Sequence, residues 1–267
     1  MSVVFISLTS AFAQQHSIRF CYADPAKAPM FVGSADELPL YDPSPKLAIL
    51  NQLAQQLGNV RFQFIKQSRQ RCLTALAAGD VDAVLSAYSA ITAESAIFPS
   101  DQQGQLDARF AFATFSQCLV GTRAFHTAWQ SREVFQTQAF NIALANGFYL
   151  AETTKDESFF VQHTFSEQQA WQQVAKRNAD ATVGLCKVGK QNVLPASYKR
   201  LRMAPVYPPL NTVTGYLVFS KSYYQQAKSH AHLLWQHLAK LDIDTRYAEI
   251  INQSQLASSS SLASLKD

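Results

Sequence analysis

Residues 76–85 read LAAGDVDAVL and residues 174–185 read VAKRNADATVGL, so the chain carries one pattern twice. In each passage a helical pattern stops at a glycine or an asparagine, and an Asp-Ala pair then leads into a short apolar run typical of a buried strand. Joints between helices and strands favour such residues in general, so chance can produce the likeness. Its recurrence nevertheless favours two lobes of similar construction.

The same alternation of strands and helices continues outward from both passages. Residues 17–23 and 60–65 are predicted strands, and residues 45–57 keep helical spacing until Gly58 stops them. A strand at 216–220 and the long helix after it are expected to return to the first lobe. Strands that alternate with helices predict parallel sheets with right-handed crossovers.

Length and composition exclude several classes of protein. A chain of 267 residues that is 48% hydrophobic and 16% charged has ample apolar surface for a packed interior, and cores of this size tend to split in two. The net charge of +4 is spread out, with no Lys/Arg run longer than Lys199-Arg200, so we expect no nucleic-acid partner. Common catalytic motifs and metal-ligand spacings are absent from the sequence, so we expect no enzyme activity, no cofactor and no metal.

The two ends of the chain have their own composition. Residues 1–13 form a short apolar run that ends in Ala11-Phe12-Ala13, the small-x-small pattern that signal peptidase accepts. We interpret them as a signal-peptide remnant and expect export to the periplasm; a buried N-terminal strand is the alternative. The tail at 253–267 contains a run of four serines and is predicted to be disordered.

The four cysteines lie far apart and form no C-x-x-C motif, which argues against a zinc cage or a thioredoxin-like site. In an oxidising compartment they can form two disulfides, pairing Cys21 with Cys72 and Cys118 with Cys186. Buried free thiols are the alternative.

Several of these passages resemble a known family. Residues 71–84 resemble the R-C-L-x-x-L-x-x-G-x-V-D-A-V segment of one branch of the bacterial extracytoplasmic solute-binding proteins of family 3, the polar amino acid type. Residues 166–181, with the Asp180-Ala181 pair, resemble the matching segment of the second lobe. Trp235 lies where a tryptophan is common in the last helix, and the resemblance covers residues 18–251.

The resemblance implies an α/β, two-lobed periplasmic-binding-protein-like (type II) fold, in which two hinge crossings join lobes that are each a mostly parallel sheet flanked by helices. Residues 16–112 plus 209–252 would form the first lobe and residues 113–208 the second. The ligand would lie in the cleft beyond the carboxyl ends of the strands, and the lobes would close around it. The resemblance also implies a monomer. Its expected partners are a small-molecule solute and either the permease of a membrane transporter or a membrane sensor.

The sequence departs from the family at both positions that hold a free amino acid. Family members that bind amino acids share an arginine just after the first-lobe strand. Its guanidinium makes two hydrogen bonds to the carboxylate of the ligand. Here residues 86–95 read SAYSAITAES and contain no arginine. An aspartate for the ligand ammonium usually follows the second-lobe strand, but here Gly184 and Leu185 occupy that place. We therefore expect a ligand that is not a standard free amino acid.

Four groups of residues are candidates for contact with the ligand. The first group consists of two aromatic residues that could stack on the ligand, and the second of two arginines at the start of the second helix that could clamp an anion. The third group is three residues at the end of the strand near 85. The fourth is a strand-to-helix turn whose free N–H groups could bind an anion. These candidates are Tyr22, Phe31, Arg69, Arg71, Ser86, Tyr88, Ser89, Asn146, Phe148 and Tyr149.

Three classes of function compete. An exported receptor that closes around a solute explains the paired lobes, the export signal and the missing catalytic motifs. A ligand-free interaction module would explain the missing amino acid anchors, with the cleft used as a docking surface. A dehydratase-like enzyme is the third class, because some relatives with this fold resemble dehydratases of cyclohexadienyl acids.

Overall fold

One curled sheet of eleven strands organises the computed structural model, which describes residues 16–22, 45–131, 137–145, 150 and 159–252. The eight strands of its main path lie in the order β2-β1-β3-β11-β5-β8-β6-β7, and three short strands pair at its margins. In chain order the strands are β1 (His16–Tyr22), β2 (Val60–Lys66), β3 (Ala83–Ala87), β4 (Ala96–Ile97), β5 (Ala111–Gly121), β6 (Phe140–Ala145), β7 (Phe159–Thr164), β8 (Ala181–Val188), β9 (Gln191–Asn192), β10 (Ala204–Pro205) and β11 (Asn211–Ser220).

Eight α-helices occur among the described residues, and none of them is long and apolar enough to cross a membrane. A short 3₁₀ helix at Ala108–Phe110 precedes β5. The α-helices are α1 (Pro45–Leu57), α2 (Arg69–Ala78), α3 (Ala90–Ser95), α4 (Arg123–Gln130), α5 (Glu167–Ala175), α6 (Ala196–Arg200), α7 (Lys221–Leu238) and α8 (residues 243–252).

The sheet consists of two parallel halves joined by antiparallel strands. Strand β1 is parallel to both β2 and β3 in the first half, and β6 is parallel to both β7 and β8 in the second. Between the halves, β11 pairs antiparallel with β3 and β5, and β5 pairs antiparallel with β8. The predicted lobe boundary between residues 112 and 113 falls inside β5 and remains a prediction, as does the boundary before residue 209.

Each half of the sheet is covered on both faces, as a parallel sheet requires. In the first lobe, one core surrounds Leu50 and Trp235 from α1 and α7, and the opposite core surrounds Leu76 from α2. In the second lobe, the two cores surround Phe140 and Val174. The predicted α/β class, with two lobes of similar construction, is confirmed.

Both cysteine pairs form disulfides, so the alternative of free thiols is wrong for this structure. Cys21 is bonded to Cys72 with the Cα atoms 5.5 Å apart, which ties the end of β1 to α2. Cys118 is bonded to Cys186 with the Cα atoms 5.7 Å apart, which ties β5 to β8. Both separations lie within the usual range for a disulfide.

His16 makes the stability of the first lobe depend on pH. Its ring stacks on that of His230 at a centroid distance of 4.3 Å, and its Nε2 shares a hydrogen bond of 3.0 Å with the Tyr223 hydroxyl. Burial lowers the pKa of His16 below its ordinary value of 6.5, and the neighbouring His230 lowers it further, while Asp82 opposes the shift. The folded state therefore favours the neutral imidazole.

A lowered histidine pKa means that the unfolded chain takes up the proton first as the pH falls. The contribution of His16 to the free energy of unfolding should therefore be constant above about pH 6.5 and decline below it, until the folded state is also protonated. Urea unfolding at pH 5.5 and 7.5 measures this decline. His16→Phe keeps an aromatic ring but cannot titrate, so we expect a smaller decline; an equal decline would exclude His16 as the cause.

Candidate ligand-binding cleft

A cavity of about 530 Å³ opens where the two lobes meet, and this volume suits a small organic molecule. Its walls come from both lobes and its floor from the strands that join them. The lining residues are Lys46, Arg69, Leu85, Ser86, Ala87, Phe115, Gln117, Glu167, Leu185, Val213, Gly215 and Tyr247.

The floor is one continuous face of the sheet. Side chains of directly paired residues lie on the same face, and three such pairs line the cavity across β3, β11, β5 and β8. These pairs are Ala87 with Gly215, Phe115 with Val213, and Gln117 with Leu185. The floor is therefore apolar except at Gln117.

The first-lobe wall is cationic. Arg69 is the first residue of α2, whose preceding Ser68 caps the helix by accepting a hydrogen bond from the Arg71 amide at 3.3 Å. The structure gives the Arg69 side chain no hydrogen bond or ion pair with another described residue. Lys46 stands beside it, with its Nζ 5.7 Å from the centre of the Tyr22 ring. The arginine is thus placed to receive an anionic group.

Arg69 also lines a smaller recess of about 90 Å³ next to the main cavity. Tyr22, Cys21 and Cys72 line the same recess, so the first disulfide holds the start of α2 against the end of β1. This cross-link fixes the position of the helix turn that carries Arg69.

The second-lobe wall contributes one acidic residue. Glu167 is the first residue of α5, and Ser166 before it accepts a hydrogen bond from the Gln169 amide at 3.2 Å. Glu167 lies in the lining together with Lys46 and Arg69, so the described part of the lining contains two cationic side chains and one anionic side chain.

Aromatic and amide side chains lie at one end of the cleft floor, where β5 pairs with the beginning of β11. The Phe115 and Tyr247 rings meet edge to face with centroids 5.1 Å apart. Asn211, the cross-strand partner of Gln117, has both amide atoms buried without a hydrogen-bond partner. An unpaired buried amide is costly, and its position next to Gln117 puts it at the margin of the cleft.

Three of the predicted site residues line these cavities: Tyr22, Arg69 and Ser86. The Ser86 hydroxyl is buried and donates to the Ala87 carbonyl at 3.0 Å, so its backbone is the part that faces the cleft mouth. The set as a whole remains a prediction.

Three others lie nearby without lining a cavity described above. Arg71 is exposed on α2, and Tyr88 is 53% exposed with its ring 5.2 Å from that of Phe98. Ser89 caps α3 by accepting a hydrogen bond from the Thr92 amide at 3.1 Å. Phe31, Asn146, Phe148 and Tyr149 lie outside the described residues.

The sequence interpretation missed most of the floor. Phe115, Gln117, Val213, Gly215 and Tyr247 carry no local motif, because the pairing of distant strands brings them together. Glu167 had a usable signal, since it belongs to the segment at residues 166–181 that resembles the second lobe of the family.

The sequence matches no family model and no curated protein. Solved structures do match over most of the chain. An ancestral cationic amino acid solute-binding protein, AncCDT-1, aligns at 17% identity over 89% of this chain and 94% of its own, with a TM-score of 0.62. Another structure of AncCDT-1 is described as that of a precursor of cyclohexadienyl dehydratase.

Two further structures connect the fold to membrane systems. The substrate-binding protein of an amino acid ABC transporter aligns at 16% identity over 89% of this chain and 98% of its own, with a TM-score of 0.52. A histidine kinase sensor domain similar to periplasmic binding proteins aligns at 14% identity over 89% of this chain and 95% of its own, with a TM-score of 0.53. The chain therefore has the two-lobed fold of the amino acid-binding periplasmic proteins.

Proposed function

We propose that this protein is an extracytoplasmic receptor that closes around a small solute and serves a membrane transporter or a sensor. The construction of the cleft carries the proposal: β5 and β11 form its floor and also join the lobes, while Arg69 and Glu167 stand on opposite walls. A bound solute would contact both walls at once, so closure would follow from its higher affinity for the closed state.

The ligand we propose is not a standard free amino acid. No arginine follows β3, and Gly184 and Leu185 occupy the place where the resemblance expects an aspartate for the ligand ammonium. A Cβ atom at Gly184 would overlap the Tyr198 hydroxyl, so the fold has no room for a carboxylate side chain there. Burial, together with the nearby Glu167 carboxylate, raises the pKa of Tyr198, which keeps this hydroxyl neutral. The packing of the second lobe against Tyr198 thus excludes an acidic anchor at Gly184.

An extracytoplasmic location agrees with the covalent structure. Disulfides persist in the periplasm and outside the cell, whereas cytosolic thiols are kept reduced. All four cysteines of the chain are paired, and the apolar start with its Ala-Phe-Ala site supplies a route of export.

Closure around a solute is directly measurable. A thermal-shift screen of amino acids, peptides, organic anions, amines and aromatic acids should give at least one solute that raises the melting temperature by several degrees, since a ligand at a hundred times its Kd adds about 2.7 kcal/mol. Small-angle X-ray scattering should then show a smaller radius of gyration with that solute. If no solute raises the melting temperature or reduces the radius of gyration, the result would instead favour the interaction module.

A further inference from the structure

Gly215 lies in the middle of the cleft floor, yet the fold does not require a glycine there. Its φ is outside the left-handed region, so its backbone, including the bulge beside Tyr216, is open to other residues. A Cβ atom at this position would lie 3.4 Å from Cε2 of Phe115 and 3.7 Å from the Ala113 carbonyl, which is ordinary contact. Gly184 differs, because a Cβ atom there overlaps Tyr198. The absent side chain at Gly215 therefore needs another explanation.

A glycine inside a strand often marks a place where a ligand approaches the backbone closely. Gly215 pairs with Ala87 across β11 and β3, and both residues line the cavity. Because glycine has no side chain and alanine has only a methyl group, no bulky side chain rises from the floor over these two neighbouring strands, which lie about 4.8 Å apart. A flat group can rest there at van der Waals distance from the backbone.

The neighbouring side chain specifies what kind of flat group fits. The Phe115 ring stands directly beside the empty Cβ position of Gly215 and makes an edge-to-face contact with Tyr247, which also lines the cavity. Aromatic rings prefer offset or edge-to-face neighbours to other contacts of the same area. A second ring lying on Gly215 would meet Phe115 in such an arrangement.

The charge of the walls specifies the rest of the ligand. Arg69 has no ion-pair partner among the described residues. A guanidinium binds a carboxylate through two parallel hydrogen bonds. One carboxylate on the ligand would therefore supply this missing partner.

We propose, on the basis of the receptor function above, that the cleft binds a small aromatic carboxylate. Its ring lies on the backbone at Gly215 beside Phe115, and its carboxylate pairs with Arg69. Gly215 then determines specificity, because any side chain at this position fills the space of the ring.

Isothermal titration calorimetry with benzoate tests this proposal on the wild type and three variants. Gly215→Ala should bind benzoate about ten- to a hundredfold more weakly, because an extra methyl group in a tight contact displaces the ring. Its melting temperature should be unchanged or slightly higher, since alanine restricts the unfolded chain.

Arg69→Gln should weaken binding about ten- to a hundredfold through the lost charged hydrogen bonds. Arg61→Gln, which removes an exposed first-lobe charge outside both cavities, should change affinity less than threefold.

Three related probes separate the parts of the proposal. Cyclohexanecarboxylate keeps the charge without the flat ring, benzamide keeps the ring without the charge, and L-phenylalanine adds an ammonium group; each should bind more weakly than benzoate. Equal binding of cyclohexanecarboxylate, or unchanged benzoate affinity in Gly215→Ala, would overturn the proposal. If benzoate fails to bind while a solute of another class closes the lobes, the receptor function stands and this ligand class is wrong. If no solute closes them, both proposals fail.

Discussion

Replacing Cys118 and Cys186 together with alanine should lower the free energy of unfolding by about 4 kcal/mol. The bond between them closes a loop of 68 residues, and both side chains are fully buried. In the chain-entropy account, the cross-link acts by restricting the unfolded chain, so the native fold should survive its loss. For a chain of this size the expected fall in melting temperature is about 10 °C.

Calorimetry of the double variant without reductant measures this fall. The matched comparison is Cys21→Ala with Cys72→Ala, which opens a loop of 51 residues. Because loop entropy depends only on the logarithm of length, the two double variants should lose similar stability. A melting temperature within a degree of the wild type would show that the cross-link between β5 and β8 does not stabilise the protein.

Trp235→Ala should destabilise the first lobe by about 3–5 kcal/mol, the usual cost of removing a large buried aromatic side chain. Trp235 is only 2% exposed, and its indole Nε1 donates to the Leu217 carbonyl of β11 at 2.7 Å. Its ring also packs against Phe219 at a centroid distance of 5.4 Å. The substitution removes a hydrogen bond and leaves a cavity between α7 and the sheet.

Urea unfolding monitored by circular dichroism gives the size of this effect. Trp129→Ala is a matched control, because Trp129 also donates to a backbone carbonyl, that of Tyr207 at 3.1 Å, but is only partly buried. We expect it to lose less than half as much stability. A larger loss for Trp129→Ala than for Trp235→Ala would contradict the assignment of Trp235 to the centre of the core.

Local signals in the sequence identified several elements of the fold. The α2 helix ends at Gly79, whose φ of 80° places it in the left-handed region, and α5 begins after Ser166, which caps it. Strand β3 begins at Ala83, directly after Asp82. Asp82 joins β1 instead, since it accepts hydrogen bonds from the Arg19 guanidinium at 2.7 and 3.1 Å.

The cleft could be predicted only in part, because its floor depends on the register between distant strands. A helix start and a strand end are local features, and they pointed to Arg69 and Ser86. Nothing local indicates that Gly215 lies opposite Ala87 or that Val213 lies opposite Phe115. Tyr247 reaches the cleft from the last described helix, which no motif connects with ligand binding.

The pairing of β3 with β11 also has a consequence for biogenesis. Among the described strands, β11 is the neighbour of β3 on the side away from β1, so the first lobe cannot complete its sheet until the chain has been synthesised past residue 211. The second lobe draws its strands from one continuous stretch and can assemble earlier. A nascent chain therefore exposes an open strand edge, a template for aggregation, until residues 88–210 have been synthesised. Strand β11, which forms part of the cleft floor, is also the strand that covers this edge.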